Sequence, residues 1–280
     1  MNITDGGITA AKGFEAAGIE VGIKENHSGK KDMAMIFSKT PCKVAGTFTT
    51  NRVKAAPVKW DREVVNSGND AHVVVINSGI ANACTGKEGY DYCSQIAEKA
   101  AETLKVPAES VLVASTGVIG MQLPMDKINK GIGILSGNLG ESKDYANLAA
   151  EAIMTTDTHS KQTAVEIDIA GKKVTIGGMC KGSGMIHINM CTMLGFISTD
   201  CNISKKMLQK ALSETVQDTF NMVSVDGDTS TNDTVLLLAN GQAGNAEITE
   251  ENDDYFKFKE ALVYVATYLS KQIAGDGEGA

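Results

Sequence analysis

Short runs of β-branched residues alternate with amphipathic stretches along most of the chain. Residues 72–79 (HVVVINSG) and 111–120 (VLVASTGVIG) are apolar runs that close in Gly, Ser or Asn. This is the pattern of buried strands feeding polar loops. Between them, residues 90–105 place Ile96, Ala97, Ala100, Ala101 and Leu104 on one helical face. A second helix is predicted over 143–154, where Tyr145, Leu148, Ala149 and Ile153 recur at helical spacing. Residues 164–178 alternate on two arms around Ala170-Gly171-Lys172 and predict a hairpin. Residues 203–220 form an amphipathic helix pattern with Ser204 as N-cap and Leu208, Leu212, Thr215 and Val216 along one side. A buried strand follows at 233–241, then a long helix at 254–274, and the chain closes on GDGEGA. No fixed-period repeat or linker interrupts the series. The expectation is an α+β fold with strands and helices segregated into layers.

Composition narrows the class without naming it. Hydrophobic residues make up 42% and charged residues 21% of 280, ordinary for a soluble globular protein and enough for a sizeable core. The formal net charge is −8 and no Lys/Arg-rich run occurs, which argues against a nucleic-acid partner. No apolar run reaches membrane-spanning length, and the N-terminus lacks the apolar stretch of a secretory signal. A cytoplasmic protein is expected. The six cysteines, Cys42, Cys84, Cys93, Cys180, Cys191 and Cys201, form no C-x-x-C pair and have no histidine at zinc-finger spacing. They are expected to be reduced and mostly buried thiols, with no metal and no resident cofactor.

Chemistry concentrates in residues 181–196, KGSGMIHINMCTMLGF. A threonine hydroxyl is a weak nucleophile without an adjacent base. Thr192 acquires one if its Oγ attacks the Cys191 carbonyl in an N→O acyl shift and the ester is hydrolysed. The freed α-amine, which ordinarily titrates near ~8, then accepts the Oγ proton. The plainer alternative is that Thr192 begins a buried strand, TMLGFIS. Cys191 is a rival nucleophile, which His187 would suit only in a helix. Lys181 is either a point charge for a substrate carboxylate or a solvated turn residue. Thr116 and Gly117, in the STG turn after a strand, are candidate oxyanion donors, and Asn77 and Asn82 in NSGIANACTG offer amide donors. Thr155, Thr156 and Asp157 end a helix and either meet a substrate or cap the helix. The oxygen-rich DGDTSTND at 226–233 is either half of a calcium loop or a turn tied by Asx side chains.

Taken together, GGITAAKGFEAAG, NSGIANACTG, STGVIG, AIMTTDT, KGSGMIHINMCTML and VDGDTSTNDT resemble the ornithine acetyltransferase family in order and over nearly the whole chain. The resemblance implies an αββα-type layered sandwich. It implies self-cleavage between Cys191 and Thr192, giving an N-terminal fragment 1–191 and a C-terminal fragment from 192 to 280 that starts at the nucleophile. Thr116 and Gly117 match the family's oxyanion positions, and Thr155 (or Thr156), Lys181, Thr192 and Glu278 match substrate contacts. The implied reaction is ping-pong. N-acetylornithine acylates the threonine, ornithine leaves, and glutamate takes the acetyl group. Acetyl-CoA serves some members as donor, and cleaved pairs assemble as dimers. Lys181 would pair with an α-carboxylate and Glu278 with the ornithine side-chain ammonium.

Three departures accompany the match. Cys191 stands where alanine is more frequent, and Ile188 where proline is usual. Family chains also continue beyond GDGEGA, so this chain is expected to lack a C-terminal part and to act only if that part is supplied in trans. Two other functions stay open at this level. One is a self-processing aminopeptidase that passes acyl groups to water. The other is an inactive assembly piece awaiting a partner fragment.

Overall fold

The structure is a computed structural model that describes residues 1–24, 29–185 and 193–279. Strand β1 (Asn2–Thr4) is followed by β2 (Phe14–Ile19), the long β3 (Met33–Phe48), helix α1 (Ala56–Ser67) and β4 (Ala71–Ile80). Then come α2 (Gly86–Leu104), β5 (Val111–Val118), α3 (Met125–Gly137) and α4 (Lys143–Ala152). The remainder is β6 (Lys161–Ile169), β7 (Lys172–Lys181), β8 (Leu194–Thr199), α5 (Lys205–Gln217), β9 (Thr234–Ala239) and α6 (Asp253–Gly275).

The strands build two sheets that share β3. One runs β1-β6-β7-β8-β9-β3, using Lys43–Phe48 of β3. The other places Met33–Ser38 of β3 between β2 and β4, with β5 beyond β4. The register of β3 breaks between Phe37 and Cys42. A bulge bends a strand and sharpens its twist, and here the bend carries one strand from the first sheet into the second.

Alternation along the inner strands sorts side chains into three layers of core. Val74, Ile76, Leu112 and Ala114 cluster with Phe196, Leu236 and Leu238, filling the space between the sheets. Their neighbours Val73, Val75, Val111 and Val113 point the other way, onto Ile96 and Ala97 of α2 and Ile128 and Ile132 of α3. Ile197, Val235 and Leu237 meet Leu208 and Leu212 of α5 and Leu262 and Val265 of α6. The order is helix, sheet, sheet, helix, as the family resemblance implied.

Local chemistry explains most boundaries. The β6–β7 turn is two residues, Ala170 (φ 51°) and Gly171 (φ 77°), between the paired Ile169 and Lys172. Two successive positive φ values give a turn whose twist matches that of the strands. The Ser204 hydroxyl accepts the Met207 N–H at 3.3 Å and starts α5. Helix α4 differs from its predicted face. Tyr145 and Leu148 are half-buried, and the buried side is Ala146, Ala149 and Ala150 with Ile153 just beyond. The reason is close approach: a Cβ added at Gly18 of β2 would lie 2.0 Å from the Leu148 carbonyl oxygen. Among the described residues Cys42, Cys93, Cys180 and Cys201 are buried free thiols, and Cys84 is exposed. No described helix is long and apolar enough to cross a membrane.

Candidate active site

Several elements end at one rim of the sandwich and enclose a cavity of about 690 Å³. From the sheet, β4 contributes Gly79 and Ile80, β5 contributes Thr116 and Gly117, and β7 contributes Lys181. Thr155 and Thr156 follow α4, Glu278 follows α6, and Asp226 and Asp228 come from the loop before β9. Lys24 and Ile23 close the side next to β4. The volume suits a small-molecule ligand. Thr116, Gly117, Thr155, Lys181 and Glu278, far apart in sequence, are thus brought to one cavity. Cys191 and Thr192 lie outside the described residues. The described chain resumes at Met193, whose N–H donates to the buried Asp233 carboxylate at 3.1 Å. Burial pushes the Asp233 carboxyl well above the usual carboxylate range.

The parallel pair β4–β5 sets Ser78 against Thr116 and Gly79 against Gly117. Gly117 has φ 128°, and a Cβ on it would lie 2.2 Å from the Gly79 carbonyl carbon. Only glycine fits there. Thr116 is buried, and its hydroxyl has no hydrogen-bond partner among the described residues, so it is available to a ligand oxygen. The amides of Asn77 and Asn82 are not available in this way. Asn77 Nδ2 donates to the Ile80 carbonyl at 2.8 Å, and Asn82 Nδ2 to the Gly89 carbonyl at 2.8 Å. Both hold their own loop closed.

Under the cavity lies a network that motif and spacing do not reveal. The Asp157 carboxylate accepts from Lys161 Nζ at 2.8 Å, from the Gly182 N–H at 2.7 Å and from the Thr155 N–H at 3.0 Å. It also sits 3.8 Å from Lys181 Nζ. Lys161 Nζ reaches Asp276 as well, and Asp276 accepts from the N–H and hydroxyl of Thr158. Ser183 Oγ donates to the Asp276 carbonyl at 2.7 Å, and the Glu278 N–H donates to the Ser183 carbonyl at 3.0 Å. One carboxylate therefore fixes Thr155, Lys181 and, through Lys161 and Asp276, the approach to Glu278. Gly184 leaves room for the Glu278 carboxyl, which lies 2.6 Å from where a Cβ would be.

Charge states follow from these contacts. Burial would raise the Asp157 carboxyl, but Lys181 and Lys161 outweigh it and hold it below its usual range. Burial pulls the Lys181 ammonium down, with Asp157 opposing. For Asp276, burial is outweighed by Lys161 and Thr158, which hold the carboxyl at about 2. An unfolded aspartate titrates near ~3.9. A depressed native pKa gives stability that is present above the unfolded value and lost as pH falls through the native one. Denaturant melts should therefore show stability level above about pH 5 and declining from about pH 4 towards pH 2. Asp276→Asn should flatten part of that decline.

The DGDTSTND segment is a tied turn. Asp226 accepts the Asp228 N–H at 3.1 Å, and Ser230 Oγ accepts the Asn232 N–H at 3.0 Å. Asn232 Nδ2 then donates to the carbonyls of Ala81 at 2.6 Å and Ser115 at 2.8 Å. This couples the segment to the loop after β4 and to the strand carrying Thr116.

The chain and its fold are similar to those of known proteins. The arginine biosynthesis bifunctional protein ArgJ 1 of Clostridium acetobutylicum is 55% identical over 273 residues, covering 98% of this chain and 66% of that protein. The chain thus spans about two thirds of the length of the curated relatives it matches. The ornithine acetyltransferase of Mycobacterium tuberculosis, solved in complex with ornithine, is 38% identical with a TM-score of 0.60, covering 67% of this chain and 95% of that one. The L-aminopeptidase D-Ala-esterase/amidase of Ochrobactrum anthropi, a variant of the Ntn hydrolase fold, matches 99% of this chain and 88% of that one. Its TM-score is 0.57 at 14% identity, a likeness of fold alone. The model of the ArgJ family matches residues 15–280, and this chain belongs to the ArgJ family.

Proposed function

We propose that this chain transfers an acetyl group from N-acetylornithine to glutamate through an acetyl ester on Thr192, after cutting itself between Cys191 and Thr192. The observation that carries this reading is the convergence of Thr116, Gly117, Thr155, Lys181 and Glu278 on one cavity, in a chain 38% identical to an enzyme solved with ornithine. Coverage supports the cut. The match takes 95% of that solved chain but 67% of this one, and 67% of 280 is about 188 residues, close to the 191 that precede Thr192.

Each step has a named group. The Thr192 α-amine, freed by cleavage, takes the Oγ proton as Oγ attacks the acetyl carbonyl of the donor. Thr116 and Gly117 stabilise the oxyanion. The proton passes to the departing ornithine amine, leaving an acetyl ester. The amine of glutamate then attacks that ester and regenerates Oγ–H. Splitting the transfer in two replaces one hard step by two easier ones. Lys181 pairs with the α-carboxylate that both amino acids carry, and Glu278 with the ornithine side-chain ammonium. In this reading acetyl-CoA is an alternative donor, the cleaved pair forms a dimer of heterodimers, and the protein works in the cytoplasm.

Intact mass spectrometry after incubation with N-acetylornithine tests the reading. One added acetyl is expected on the fragment that begins at Thr192, and it should discharge when glutamate is added. Acetate release without glutamate would instead identify a hydrolase. An unmodified fragment, in the presence of the C-terminal third of a relative, would overturn the acetyl-threonine.

A further inference from the structure

A ping-pong transfer between ornithine and glutamate sets one cavity a problem of sign. The two amino acids share an α-carboxylate, but their side chains end in opposite charges. Glu278, with Asp226 and Asp228 beside it in the cavity wall, suits the cationic end of ornithine. The same acids would repel the side-chain carboxylate of glutamate. Lys181 does not resolve this, because it is buried beside Asp157 and is assigned to the carboxylate common to both substrates.

Lys24 is the second cation of the cavity wall among the described residues. Its backbone is held in place from below. The fully buried Asp32 carboxylate accepts the N–H groups of Val21 at 2.7 Å, Ile23 at 2.5 Å and Lys24 at 3.2 Å. Asp32 is itself tied to the sheet through the Ser78 N–H, which donates to its carbonyl at 2.9 Å. The Lys24 stem packs beside the end of β4, its Cγ 3.1 Å from where a Cβ on Gly79 would stand. Its ammonium donates to the Lys31 carbonyl at 2.6 Å. Among the described residues it has no carboxylate within ion-pair distance, whereas Lys31, Lys39, Lys43, Lys161 and Lys181 each have at least one. With all three of its N–H contacts on backbone, Asp32 positions Lys24 without capturing its charge.

We propose that Lys24 receives the side-chain carboxylate of the acceptor amino acid and so selects glutamate for the second half-reaction, while the acids around Glu278 serve the first. Partial burial lowers its pKa to about 8 despite Asp32, with Lys30 adding to the fall, Asp157 opposing it and Lys181 adding to it. An arriving carboxylate would supply the direct ion pair that Lys24 does not make among the described residues.

The assignment rests on the ornithine-to-glutamate reading above, and the two fail differently. Ping-pong halves are measurable separately in the complete enzyme. Exchange of label between ornithine and N-acetylornithine reports the first half without glutamate. Discharge of the acetyl-enzyme by glutamate reports the second. For Lys24→Gln we expect exchange within about twofold of wild type. The kcat/KM for glutamate should fall about 10- to 100-fold, mainly through KM, as for loss of a charge-assisted hydrogen bond. Lys24→Arg should recover part of it. The preference for glutamate over its neutral isostere glutamine should shrink by the same factor in Lys24→Gln. An equal fall in both halves, or an unchanged preference for glutamate over glutamine, would overturn the assignment. Absence of exchange in the wild-type enzyme would remove the parent reading, and Lys24's role with it.

Discussion

Replacing Thr192 by alanine is expected to leave one uncleaved chain and no acetyl transfer. Two functions vanish together. Without Oγ there is no attack on the Cys191 carbonyl, so no ester forms and no new N-terminus appears. Without the new N-terminus there is neither nucleophile nor its α-amine base. Activity should fall by about 10⁴ or more, as when a residue that acts as part of a unit is removed. Thr192→Ser keeps the hydroxyl and should still cut, which separates chemistry from folding. Intact mass reads both variants: two fragments for wild type and serine, one for alanine. A cut between 191 and 192 in the alanine variant would disprove self-processing by Thr192.

The largest expected loss of stability falls on Asp157, a residue with no part in the proposed bond-making. Its carboxylate is wholly buried and faces two buried ammonium groups, Lys161 and Lys181. Removing one member of a buried ionic cluster leaves charge uncompensated and typically costs about 3–5 kcal/mol. Asp157→Ala should therefore lose stability on that order in denaturant melts. Asp157→Asn keeps an oxygen for the Gly182 N–H, at 2.7 Å in the native protein, and should lose less. In the asparagine variant, weaker binding of both amino acids is expected, because Thr155 and Lys181 share this anchor. Equal melts for wild type and Asp157→Ala would show that the cluster contributes no net stability.

The parts of the fold that could be read from sequence are those with uninterrupted periodicity. Strands β4, β5 and β9 are apolar runs with abrupt polar ends, and α2, α5 and α6 keep a regular apolar stripe. The β6–β7 hairpin is marked by its Ala170-Gly171 turn. Strand β3 could not be read, because it contains Pro41 and breaks register between Phe37 and Cys42 as it changes sheet. Its alternation serves two different cores in turn. The α4 face was misjudged since alanine carries little hydrophobic signal, although it is what allows a helix to touch Gly18.

The site divides in the same way. Glu278 is reachable only through resemblance to a known family, whereas Thr155, Lys181, Thr116 and Gly117 are candidates on chemistry, each with a plainer alternative. Asp157 reads from sequence as a substrate contact or a helix cap, not as a buried ion-pair anchor, and Lys161 and Asp276 look like surface charges. Lys161 and Asp276 are 115 positions apart, and nothing local distinguishes them from the solvated majority. Lys24 is equally anonymous until Asp32 is seen to hold its backbone, with no ion pair to Lys24 Nζ among the described residues.

The bracketing of β8 and β9 gives the proposed cut a kinetic meaning. Both strands belong to the fragment from Thr192 onward, yet β7 flanks β8 on one side and β3 flanks β9 on the other. Both neighbours come from the preceding fragment. The two pieces would leave the reaction interleaved, with no seam along which they could part while folded. Before the cut, unfolding and refolding are events within one molecule. Afterwards, once unfolded, the halves must find each other by diffusion, so recovery depends on concentration and an encounter must precede any pairing of β7 with β8. The enzyme would gain its nucleophile by an irreversible step after which its only easy refolding route is closed.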